Sequence, residues 1–180
     1  MSLDIIVGCM FSGKSTELKR RVNRFRSIGK RVLVVNHQLD NRYSDKQVVV
    51  THSGESLDAI KTSDLKWIVP INHDVVAIDE AQMFPGLYDR VMFFVEKMNL
   101  TVIVAGLTGD YRRENFGELY RLYSVASDIY HCKALCGICK NGTPGIFTFR
   151  TSEESEQLLV GSTDLYVSVC RPCYLELNQN

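Results

Sequence analysis

The chain alternates between short, continuous apolar runs and longer stretches in which apolar residues recur every three or four positions. The runs are Ile5-Ile6-Val7, Arg31 to Asn36 (RVLVVN), Asp74 to Ile78 (DVVAI) and Thr101 to Ala105 (TVIVA). Such brief unbroken apolarity marks strands covered on both faces, as in a parallel sheet. After the first run, Leu18, Val22, Phe25 and Ile28 fall on one helical face, Lys19, Arg20, Arg21, Arg24 and Arg26 fill the other, and Gly29 supplies a stop. Leu87, Val91, Phe94, Val95 and Met98 repeat the pattern before the last run, and Leu119, Leu122, Tyr123 and Ala126 repeat it after. This β-α-β order predicts an open α/β sheet with right-handed crossovers, whose ligands bind beyond the carboxyl ends of the strands.

Around His131 the character changes. Cysteines, glycines and Pro144 appear, followed by β-type stretches at Ile146 to Phe149 and Leu165 to Val169. A main domain over 1–130 and a small lobe over 131–180 are therefore expected. The polar stretch Thr151 to Gln157 (TSEESEQ) reads as an exposed turn or mobile loop, not a site. There is no internal repeat.

Composition narrows the possibilities. A chain of 180 residues, 45% of them hydrophobic, suffices for one α/β core with an appendage. Its 21 basic and 21 acidic residues cancel, so nothing draws it onto nucleic acid or an anionic membrane. No apolar run approaches the ~20 residues of a membrane span, and the first residues do not form a secretion signal. A soluble, cytoplasmic protein is expected. Four of the six cysteines form two C-x-x-C pairs, which reads as metal rather than disulfide in a reducing compartment.

Three motifs carry chemistry. Gly8-Cys9-Met10-Phe11-Ser12-Gly13-Lys14-Ser15 fits G-x-x-x-x-G-K-[ST], with a strand before it and a helix after it. Its backbone N–H groups would cradle phosphates, Lys14 would reach the β- and γ-phosphates, and Ser15 would hold Mg²⁺. The fold expected is thus a P-loop, RecA-like parallel sheet flanked by helices. Asp79 and Glu80 end the DVVAI strand, where such folds keep a second magnesium-binding acid; Asp79 suits the ion. Glu80, pointing to the other side of the strand, suits a base for an incoming hydroxyl or water. Cys136, Cys139, Cys170 and Cys173 supply four thiolates for a closed, structural Zn²⁺ site that leaves no position for water or substrate. Cys9 reads as a small packing residue.

Together these residues resemble the cytosolic-type (type II) thymidine kinases, over about Ile5 to Tyr174. The loop G-C-M-F-S-G-K-S departs from that family's G-P-M-F-[SA]-G-K-[ST] only at Cys9, and Asp79-Glu80-Ala81-Gln82 matches its D-E-[AG]-Q. The resemblance implies that Glu80 takes the proton of the nucleoside 5′-hydroxyl, that Asp79 partners magnesium and that Gln82 belongs to the same nucleotide site. It places Asp40 and Arg42 of Asp40-Asn41-Arg42-Tyr43 near the transferring phosphate. It stacks Tyr111 on thymine, where many members have phenylalanine, with Phe116 in support. Met10, Leu107 and Thr148 would line the base pocket. A lid between the cysteine pairs, including Leu159, Val160, Gly161, Ser162 and Thr163 and followed by Tyr166, would close over the nucleoside. Ser162 stands where the family has glycine.

The function so implied is transfer of the γ-phosphate of ATP to thymidine, and also deoxyuridine, with feedback by dTTP and a homotetrameric assembly. The principal rival is a nucleic-acid-stimulated P-loop ATPase with a zinc ribbon, which the balanced charge disfavours. A GTPase lacks its N-K-x-D guanine-reading element here, and a non-catalytic nucleotide-binding module sits poorly with Lys14, Ser15, Asp79 and Glu80 all present.

Overall fold

The computed structural model describes residues 1–40, 48–50, 56–159 and 163–179. Its strands, in chain order, are β1 (Ser2–Gly8), β2 (Val32–His37), β3 (Val48–Val50), β4 (Ser56–Asp58), β5 (Ile60–Thr62), β6 (Val75–Ile78), β7 (Thr101–Leu107), β8 (Asp128–His131), β9 (Ala134–Leu135), β10 (Pro144–Gly145), β11 (Phe147–Arg150) and β12 (Tyr166–Val169). Helices are α1 (Lys14–Ser27), α2 (Leu87–Met92) and α3 (Arg171–Leu177).

Six strands form one sheet in the order β5-β2-β6-β7-β1-β8, with every pairing parallel. Alternate residues of the apolar runs go to opposite faces. Ile6, Val34, Ala77, Ile103 and Ala105 pack under α1 with Leu18 and Val22. Ile5, Val7, Val35, Val76, Ile78, Val102 and Val104 pack on the other face with Leu87, Val91 and Phe94. Two apolar faces on one sheet are what the unbroken runs required.

Two elements differ from the periodicity. The helix begun by α2 widens into a π-turn over Phe93–Lys97, while Leu119–Val125 is a run of 3₁₀ turns and not an α-helix. Leu119 and Leu122 are spaced by the three-residue 3₁₀ period and both are buried, whereas Tyr123 is left 37% exposed. The edge strands β5 and β8 carry too little apolar signal to stand out in sequence; all four residues of β8 are exposed.

Beyond β8 the chain folds into small antiparallel pairs, β9 with β10 and β11 with β12, followed by α3. Val169, Cys170, Cys173 and Tyr174 form a separate cluster there with Cys136, flanked by Phe147 and Phe149.

Candidate functional site

The loops that follow β1, β2, β6 and β7 emerge at one edge of the sheet, because the strands are parallel. The Gly8–Ser15 loop joins β1 directly to α1. Gly8 must be glycine by close approach: a Cβ there would lie 2.5 Å from the Cys132 carbonyl oxygen. Lys14 is buried and its Nζ donates to the Cys9 carbonyl at 2.8 Å, as does the Ser12 hydroxyl. No side chain caps the start of α1, where Gly13 takes a left-handed conformation.

After β6, Asp79 is buried and accepts a hydrogen bond from the Ser15 hydroxyl. Burial, then the adjacent Glu80 charge, push its carboxyl up to about 7, with Asp40 adding to the same effect. The Asp79 carboxylate and the Ser15 hydroxyl it touches are oxygen donors of the kind a hard cation such as Mg²⁺ takes. Asp40 itself is held by Asn36, whose Nδ2 donates to Oδ2 at 2.9 Å.

Glu80 is 7% exposed and has a left-handed backbone, φ 51°. Strand alternation therefore does not set its direction; the chain has already left β6. The conformation is held from both ends. Its N–H donates to Asp79 Oδ1 at 3.0 Å, and its Oε2 accepts from Gln82 Nε2 at 2.6 Å. The Gln82 Oε1 in turn accepts the Leu107 N–H at 3.0 Å, tying the loops after β6 and β7 together. Gly117, at φ 61°, packs on the Gln82 backbone so closely that a Cβ would run into the carbonyl.

Glu80 forms part of the wall of a narrow cleft with about 470 Å³ of empty space, partly open to solvent. Met10, Leu107, Tyr111, Phe116, Thr148, Leu159 and Tyr166, all expected from the sequence, line it. Hydrogen bonds that dock the small lobe onto this edge include three from buried or half-buried groups. Thr148 Oγ1 accepts the Met10 N–H at 3.0 Å, the Cys9 thiol donates to the Gly145 carbonyl at 3.3 Å, and the Tyr174 hydroxyl donates to the Tyr111 carbonyl at 2.7 Å. Cys9 is thus a buried packing residue that also bridges to the lobe.

Some expected residues lie elsewhere. Arg42, Val160, Gly161 and Ser162 fall outside the described residues, and Thr163 is exposed and does not line the cleft. Others were not expected: Met83, Asp110, Arg150, Gln157 and Leu158 also line it. Of the segment 151–157, read as an exposed turn or mobile loop, Gln157 alone lines the cleft, and the other residues are exposed or half-exposed. Arg150 had a sequence signal, standing two residues from Thr148 on the same strand face; both are buried.

In the lobe, the sulfurs of Cys136, Cys139, Cys170 and Cys173 lie within 4.8 Å of one another. Burial opposes a charge on Cys136, yet the N–H groups of Cys139, Cys170 and Ile138 outweigh it and bring the thiol down to about 6. Hydrogen bonding with the sulfurs of Cys139 and Cys170 pushes Cys173 the other way. Four converging sulfurs fit a structural zinc.

These features define a parallel α/β protein with a cleft at the carboxyl edge of its sheet, a buried acid-and-amide pair in the cleft wall, and a four-cysteine lobe closing one side. Among known proteins, the sequence model of the family described as Thymidine kinase matches residues 1–174, and the chain belongs to that family. It is 39% identical to the thymidine kinase of Fowlpox virus, over 96% of each chain. It is 38% identical to thymidine kinase 1 of Dictyostelium discoideum, over 96% of this chain and 77% of that one. It is 34% identical to the thymidine kinase of Choristoneura fumiferana entomopoxvirus, over 99% and 98%. Among the described residues, no helix is long and apolar enough to cross a membrane.

Proposed function

We propose that this protein transfers the γ-phosphate of ATP to the 5′-hydroxyl of thymidine, and of deoxyuridine. The observation that carries the reading is the placement of Glu80: a buried carboxylate, braced by Gln82, in the wall of a cleft that also presents the rings of Tyr111 and Phe116. A flat base fits against such rings, and a sugar hydroxyl beside a carboxylate acceptor is set up for proton removal. Glu80 accepts the hydroxyl proton, while Lys14 and the N–H groups of residues 8–15 bind the phosphates, with Arg42 and Asp40 at the transferring group. Ser15 and Asp79 would hold Mg²⁺, which supplies neutralisation of phosphate charge when bound. Cys136, Cys139, Cys170 and Cys173 would hold zinc, which supplies only the anchorage of the lobe.

In this reading residues 1–130 form the nucleotide-binding domain, and 131–180 a lobe whose lid, with Val160 to Thr163, folds over the nucleoside and excludes water. The protein works in the cytoplasm as a homotetramer and is inhibited by dTTP. Its substrate range provides the test. The kcat/KM for thymidine should exceed that for deoxyadenosine and deoxyguanosine by about a hundredfold or more, because a slot shaped for one ring rejects two. Comparable values for the purine nucleosides would contradict the assignment.

A further inference from the structure

Arg150 ends β11 opposite Tyr166 of β12 and is 4% exposed. Its partners are not carboxylates. Nη1 donates to the carbonyls of Glu154, at 3.0 Å, and Glu156; Nη2 donates to the Gln157 carbonyl at 3.2 Å and to the Tyr166 hydroxyl at 2.8 Å. That hydroxyl donates onward to the Leu159 carbonyl at 2.7 Å. The guanidinium also lies 3.9 Å from the centre of the Tyr111 ring. One buried cation thus gathers the backbone of residues 154–159 and stacks on the aromatic that faces the cleft.

The same segment is held more loosely from the β7 side. The Tyr111 hydroxyl and Arg112 Nη2 both donate to the Ser155 carbonyl, at 3.1 and 2.8 Å, and Gln157 Nε2 donates to Asp110 Oδ2 at 2.8 Å. These contacts are exposed or half-buried, so water competes for them. Of the contacts of Arg150, the one to the Tyr166 hydroxyl is buried and those to the carbonyls are half-buried. Among the described residues its buried Nε–H has no acceptor, a cost that its terminal nitrogens must outweigh.

We propose that Arg150 is a positioning residue for the nucleoside. It holds residues 154–159 in place through their carbonyls, so that Leu158 and Leu159 form a wall of the cleft and the guanidinium stays against the Tyr111 ring. The proposal rests on the nucleoside reading above. A nucleoside needs this wall formed, and its apparent affinity falls in proportion to the fraction of molecules in which it is formed. Lysine keeps the charge but presents a single ammonium that cannot reach several oxygens in a planar fork.

Arg150→Lys, Arg150→Met and Tyr166→Phe proteins, each checked for zinc content and thermal melting, provide the test. For both Arg150 variants the thymidine KM should rise about tenfold or more, with the ATP KM moving less than about twofold and kcat falling less than the KM rises. Without any nucleoside, a glutamate-specific protease should cut at Glu153, Glu154 or Glu156 about tenfold faster than in the parent, and Tyr166→Phe should fall between. An Arg150→Lys protein with the parent's thymidine KM and cutting rate would overturn the proposal. So would a rise in the ATP KM equal to that for thymidine, or a thymidine defect that merely tracks lost zinc or melting temperature. If the parent itself phosphorylates no thymidine, the nucleoside reading falls and takes this role with it, while the ligand-free cutting rates still report whether Arg150 holds the segment.

Discussion

Replacing Gln82 by methionine preserves length and approximate volume while removing both ends of the amide. Two groups then lose partners. Glu80 Oε2 loses a donor at 2.6 Å, and the Leu107 N–H loses its acceptor at 3.0 Å. Gln82 is 2% exposed, so water has little access to replace the amide. An orphaned buried N–H costs about 1–3 kcal/mol, and loss of a hydrogen bond to a charged group about 1.5–3. The sum, reduced for relaxation and for the extra apolar burial of methionine, is about 2–4 kcal/mol. In a chain of this size that lowers the melting temperature by roughly 5–15 °C. Urea denaturation of the ligand-free protein measures the loss directly, as a lower midpoint at unchanged slope. Turnover should fall as well, since the Gln82 amide braces the side-chain end of the left-handed Glu80. A Gln82→Met protein within about 0.5 kcal/mol of the parent and with undiminished turnover would refute the bracing argument.

Glu80→Gln keeps shape and hydrogen bonding but cannot take a proton, so kcat should fall about 10²- to 10⁴-fold in steady-state assays with little change in the ATP KM. Cys173→Ser should abolish stoichiometric zinc, read by elemental analysis, and free the α3 cluster, read as loss of thermal cooperativity, because the site would be left with three sulfurs. Glu17 is held down to about 2 chiefly by its hydrogen bond to Arg20, aided by Arg21. Its folded value lies below its unfolded one, so its contribution is full above about pH 5 and is lost as pH falls toward 2. Because the Arg20 side chain is 55% exposed, screening limits this to about 1 kcal/mol, and Glu17→Gln should flatten the acid limb of a stability-against-pH curve by that amount.

The sheet was legible because burial on both faces imprints itself directly as unbroken apolar runs. Ile5-Ile6-Val7 and Val75 to Ile78 each divide their side chains between the two cores. The edge strands left no such mark, since Asp128 to His131 are exposed and paired on one side only. Candidate site residues were legible where a motif fixes residue types at fixed spacing, as in Gly8 to Ser15 and the two cysteine pairs. Tyr111 and Phe116 were placed by resemblance. What escaped was chemistry carried by the backbone. The carbonyls of Glu154, Glu156 and Gln157 have no letter in the sequence, and their partner Arg150 belongs to none of the motifs. The direction of Glu80 was inferred from strand alternation, but a left-handed residue and the Gln82 amide set it instead.

The most direct test of the central claim is to incubate the purified protein with Mg·ATP and either thymidine or single-stranded DNA, and to measure ADP and thymidine monophosphate in the same samples. The account predicts ADP and thymidine monophosphate in one-to-one ratio with thymidine, and no stimulation by DNA. ADP released with DNA alone, or without phosphorylated nucleoside, would contradict it and return the four-cysteine lobe to the reading of a nucleic-acid module.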